Sequence, residues 1–93
     1  MIKEAKLILM KQQLLKVIDF EGEVVAVLRP ENITYYTKHY VAGKLYGINL
    51  YAVVNNKEVL LETYESERTC KHVKSKIKKA IRRGKKAYQI PAE

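Results

Sequence analysis

The sequence predicts an α+β fold: a small antiparallel β-meander of four to five strands with one C-terminal basic amphipathic helix packed on one face. Three observations lead there. Between residues 14 and 64, short β-branched and aromatic runs alternate with turn dipeptides at hairpin spacing, the pattern of antiparallel strands. From residue 67 the period changes, and Cys70, Val73, Ile77, Ala80 and Ile81 recur at steps of three and four along one helical stripe. A sheet with one apolar face needs a cover, and that stripe supplies it. A chain of 93 residues has room for one core, so a single domain over 1–93 is expected.

Residues 1–12 carry two patterns at once: Ala5, Leu7 and Leu9 alternate as in a strand, while Ile2, Ala5 and Leu9 also fit a helical stripe. A strand over about 5–11 is the expectation. Leu15, Val17 and Ile18 then lead through Phe20 to the tight-turn pair Glu21-Gly22, and residues 24–28 return as a β-branched run. Pro30-Glu31-Asn32 closes that strand, because proline cannot donate to a ladder and asparagine favours turns. Residues 33–38 alternate, with Ile33, Tyr35 and Thr37 on one face and Thr34, Tyr36 and Lys38 on the other. Residues 39–44, with Gly43, read as a loop. Residues 46–54 make the strongest strand, placing Tyr46, Ile48, Leu50, Ala52 and Val54 on one side. Asn55-Asn56 is a hairpin turn, since asparagine tolerates positive φ, and residues 59–64 return antiparallel.

The helix over residues 67–83 is framed at both ends. Ser66 stands at the N-cap, where its hydroxyl accepts from a free N–H of the first turn, and Glu67 sits at the positive end of the dipole. Gly84 suits the left-handed position that follows a helix. Residues 84–93 form a short tail from which Tyr88 and Ile90 pack back on the body.

The run "DFEGEVVAV" leading to "PENITYY", followed by a "VLLETYESE" strand entering a capped helix, resembles small bacterial and phage proteins of the flagellar FlbD-like type. That resemblance spans residues 14–81 and implies a short β-meander with one C-terminal helix. The chain departs from it in residues 1–12, in the 38–45 loop and in a far more basic helix.

Charge is distributed unevenly. Residues 1–67 hold eight Lys and Arg against nine Asp and Glu, whereas residues 68–93 hold ten basic residues against Glu93 alone. The net +8 therefore belongs to one element. Lys71, Lys74, Lys76, Lys78, Lys79, Arg82, Arg83, Lys85 and Lys86 are the candidate nucleic-acid-binding residues, able to neutralise phosphates and release counterions over about 25 Å of helix. Basic charge without a base-reading motif predicts contact that depends on salt and little on sequence. The plain alternative is a solvated helix whose charge keeps the protein soluble. Such faces usually mix lysine with glutamate at i±4, and none occurs from 68 to 92. Of seven tyrosines, Tyr36, Tyr40 and Tyr51 are the candidates for stacking on bases, against the commoner use of tyrosine in sheet packing.

Signs of catalysis are sparse. Two histidines, one cysteine and one aspartate give no metal-binding spacing, and Cys70 with His72 lie on different sides of a helix, so no metal and no cofactor are expected. Four scattered glycines form no phosphate loop, no small-molecule substrate is indicated, and the chain is expected not to be an enzyme. Glu62, Glu65 and Glu67 read as charge balance for Arg68 and Lys71. No apolar run approaches the roughly 20 residues that span a bilayer, and the apolar stretch 7–10 is too short for a signal peptide. A cytoplasmic protein is therefore expected, in the host cell if it is viral. The alternative function is a non-enzymatic interaction module, such as a viral or phage accessory or inhibitor protein that forms a homodimer through sheet edges.

Overall fold

The computed structural model describes residues 14–92, so the strand expected over 5–11 lies outside the described residues. The elements are β1 (Leu15–Ile18), β2 (Val24–Leu28), β3 (Thr34–Val41), β4 (Lys44–Val54), β5 (Lys57–Tyr64), α1 (Glu67–Arg82) and β6 (Ala87–Gln89). The α+β class and the single C-terminal helix are as predicted. The strands do not form one meander, however. They divide into two three-stranded sheets ordered β2-β1-β6 and β3-β4-β5.

The division falls at Pro30-Glu31-Asn32. There the Asn32 Oδ1 accepts from the Arg29 N–H at 2.8 Å and the Asn32 N–H donates to the Arg29 carbonyl at 3.0 Å, which folds the chain into a corner. The first sheet begins with the β1–β2 hairpin, whose Leu15↔Leu28 and Val17↔Ala26 pairs set its register. Its turn is held by Asp19, whose Oδ1 accepts from the N–H groups of Glu21 and Glu23, both at 2.9 Å, while Gly22 takes φ +91°. The tail then supplies a third strand. β6 runs parallel to β1 with Val17 opposite Tyr88, and Ile90 beyond it is fully buried.

In the second sheet the expected loop at 39–44 is instead the end of a hairpin. β3 and β4 stay paired to Val41↔Lys44 across a turn in which Ala42 and Gly43 have φ of 51° and 78°. Two left-handed turn residues match the twist of the flanking strands. The alternation was hidden by a bulge at His39/Tyr40, and because this arm extends past the last β4–β5 pair, Ile48↔Tyr64. Tyr46 is accordingly 71% exposed rather than on the buried side with Ile48, Leu50 and Ala52. Between β4 and β5 the ladder passes from Leu50↔Glu62 to Tyr51↔Leu60 and skips Leu61. This extra residue re-phases the strand, so that Leu61 and Tyr64, of opposite parity, both reach the interior.

The core lies where α1 meets both sheets. Leu15, Val17 and Leu28 come from one sheet, Ile48, Leu50, Ala52, Leu61 and Tyr64 from the other, and Cys70, Val73, Ile77 and Ala80 from the helix. Ile81, expected in the same stripe, is half-buried at its margin. Both helix ends form as the sequence implies. The Thr69 N–H donates to the Ser66 hydroxyl at 3.3 Å. At the other end, Gly84 at φ 67° lets its N–H reach the Ile81 carbonyl while the Lys85 N–H reaches that of Ala80, which closes the last carbonyls in a Schellman turn.

Candidate nucleic-acid interface

Burial of the Cys70, Val73, Ile77 and Ala80 stripe turns the rest of α1 outward. Lys71, Lys76, Lys78, Lys79, Arg82 and Arg83 are exposed on that surface, and Lys85 and Lys86 continue it past the Schellman turn. The Lys86 carbonyl accepts from the Lys16 N–H at 2.9 Å, so this continuation is fastened to β1. Helical spacing sorts the helix cations into two rows. Lys71, Lys74, Lys78 and Arg82 follow the side facing β3, whereas Lys76, Lys79 and Arg83 follow the back.

One predicted contact residue is already engaged. Lys74 is half-buried, and its ammonium lies over the Tyr36 ring, 5.5 Å from the centroid. The Tyr36 hydroxyl donates to Glu67 Oε2 at 2.9 Å, and Lys38 Nζ stands 3.8 Å from Glu67 Oε1. Partial burial, and then the Glu67 acceptor and its charge, push the Tyr36 phenol above its ordinary value. Glu67 therefore ties β3 to the helix start rather than balancing Arg68 and Lys71. The Lys38–Glu67 contact is the one ion pair between described residues. No carboxylate among them pairs with a helix lysine or arginine.

The three tyrosines proposed for base stacking are not brought together. Tyr36 faces the helix under Lys74. Tyr51 lies on the opposite face of the sheet, stacked on Tyr35 with ring centroids 5.4 Å apart. Partial burial, followed by hydrogen bonding and the charge of Glu58, raises the Tyr35 phenol above its ordinary value. Tyr40 sits on the projecting arm, 57% exposed. Sequence alternation separated Tyr35 from Tyr36 correctly, but it could not say which face the helix would cover.

The cations of α1 repel one another. Lys71–Lys74, Lys76–Lys79 and Lys79–Arg82 are three residues apart, and Lys74–Lys78, Lys78–Arg82 and Lys79–Arg83 are four apart. Like-charge neighbours at such spacing each cost about 0.2–0.5 kcal/mol, together about 1–3 kcal/mol at low salt. A polyanion laid along the helix would relieve that repulsion. Among the described residues, no three His, Cys, Asp or Glu side chains gather into a metal-binding group, and no helix is long and apolar enough to cross a membrane.

Compared with known proteins, the chain matches no family model, no curated protein and no solved structure. That result neither supports nor overturns the FlbD-like resemblance.

Proposed function

We propose that this is a small nucleic-acid-associated protein that touches phosphates through the outward side of α1 and the Lys85-Lys86 link. The reading rests on one observation above all: from Arg68 to Lys86 the cations run unbroken by carboxylate, and among the described residues none of the helix lysines and arginines forms an ion pair. Phosphate neutralisation gives affinity with little sequence preference, which suits a surface of lysines without a base-reading motif. In this reading the protein works inside the cell, where DNA and RNA are available to it.

Fluorescence anisotropy of labelled duplex and single-stranded DNA and RNA, repeated across salt concentrations, tests the proposal. Affinity should fall linearly on logarithmic axes as salt rises. Binding that is absent at low salt, or indifferent to salt, would remove the role.

The β3–β4 arm favours a second reading, an interaction module of viral or phage type that pairs with a second copy. Its Tyr40, Val41, Leu45 and Tyr46 are all at least half exposed. Sedimentation equilibrium decides between the two: a stable dimer with no affinity for any polyanion supports the interaction module.

A further inference from the structure

We infer that the groove between the last turns of α1 and residues 30–34 takes one nucleotide unit of a single-stranded nucleic acid, an inference that rests on the nucleic-acid reading above and names the form of substrate within it. The phosphate sits at Lys78 and Arg82, and the base lies against Ile33. The groove has a volume of about 700 Å3, inside the range of about 300–1,000 Å3 typical of small-ligand sites. The groove is partly open to solvent and large enough to admit one nucleotide.

The lining carries the chemistry of a nucleotide. Lys78 and Arg82 stand one helical turn apart on the β3-facing row, with Ser75 preceding them. Ile33 is 64% exposed, an unusual place for a β-branched apolar side chain beside two cations, and half-buried Ile81 extends the apolar wall. An apolar slot edged by positive charge fits a flat base carrying a phosphate. The Asn32 side-chain oxygen accepts from the Arg29 N–H at 2.8 Å, which holds this polar side chain in place at the groove wall. The Glu31 carboxylate also lines the hollow, and it can accept from base amino groups or ribose hydroxyls. Bases in a duplex have their faces stacked and hidden, and only an unpaired nucleotide can lay one on Ile33. The tyrosines do not offer this service near the cations, because Lys74 covers Tyr36 and Tyr35 covers Tyr51.

The experiment follows the methyl resonances of Ile33 and Ile81 while the full chain is titrated with adenosine 5′-monophosphate. Inorganic phosphate, adenosine and hexaglutamate serve as parallel arms. Saturable shifts are expected with the nucleotide, about tenfold weaker with phosphate or adenosine alone. Ile33→Ser should weaken the nucleotide about tenfold, and so should Lys78→Gln with Arg82→Gln. Ile33 is outside the core, so an unchanged melting temperature checks that the variant folds. Shifts of equal size from hexaglutamate, or from phosphate alone, overturn the inference. Unmoved methyls with intact duplex binding also overturn it, yet leave the helix reading in place. Methyls that move while no polymer binds do the reverse: the groove stands and the helix reading fails.

Discussion

Replacing Lys78, Lys79, Arg82 and Arg83 together by glutamine asks whether α1 is the contact surface, and the helix geometry sets the size of the answer. Lys78 and Arg82 share the row facing β3, whereas Lys79 and Arg83 share the back row, turned from it by about 100°. A rod lying along one phosphate strand would use a single row, hence two of the four charges. A rod seated between two strands would use all four. At about 0.9 per phosphate, the slope of log K against log salt flattens by about 1.8 in the first case and about 3.6 in the second. Over a fourfold rise in salt, the loss of affinity then shrinks by about 12-fold or about 150-fold. Anisotropy of a labelled duplex over a salt series reads this directly. Glutamine has nearly the helix propensity of lysine and arginine, so far-ultraviolet circular dichroism should not change. A slope equal to that of the unaltered chain refutes the reasoning, because none of these groups would then be displacing counterions.

Three further experiments, with four substitutions among them, probe the fold that carries the helix. Ile77→Ala removes a fully buried side chain where α1 meets the sheets and should cost about 2–5 kcal/mol in urea denaturation; a change under 1 kcal/mol would mean the helix is not seated there. Gly47→Ala would place a Cβ 2.9 Å from the Thr63 Cγ2 methyl and 3.3 Å from the Tyr64 carbonyl oxygen, costing about 1–3 kcal/mol. Adding Thr63→Ser, which deletes that methyl, should restore part of the loss, and no recovery would assign the strain to the carbonyl. Glu67→Gln removes the charge that helps hold the Tyr36 phenol up, so Tyr36 should ionise closer to 10 when its ring resonances are followed against pH. The folded chain keeps this proton more tightly than the unfolded chain. Its stabilising effect is therefore complete below about pH 10 and fades as pH rises through the raised folded value, and in the variant it fades at lower pH. An unshifted Tyr36 curve would show that the Glu67 charge does not contribute to the raised value.

The helix was readable because its signals are local and agree: a period near 3.6, a serine cap that bonds Thr69, and a glycine where the chain must turn left-handed. The Asn55-Asn56 turn was readable for the same reason, with φ of 52° and 64° in adjacent asparagines. The place of β6 beside β1 was not, since it depends on Lys16 meeting Ala87, residues far apart in sequence whose pairing leaves no periodic trace. The projecting arm escaped notice because it is buried on neither face, and without burial no alternation of apolar and polar residues is imposed on it. The lysines of the candidate interface could be listed in advance, but their division could not. Lys74 turns to Tyr36, while Lys78 and Arg82 border a hollow whose other wall, Ile33, looked in sequence like an ordinary strand residue.

The chain leaves α1 through a tight turn and is at once clamped beside β1, while the Ser66 hydroxyl caps the point of entry. The charged rod is thereby hitched at both ends and cannot swivel. A dangling cationic tail must surrender its wandering each time it is captured, and that loss weakens the capture. Here the loss is incurred once, during folding. The spacing of positive groups is then a fixed ruler offered to any partner that fits it.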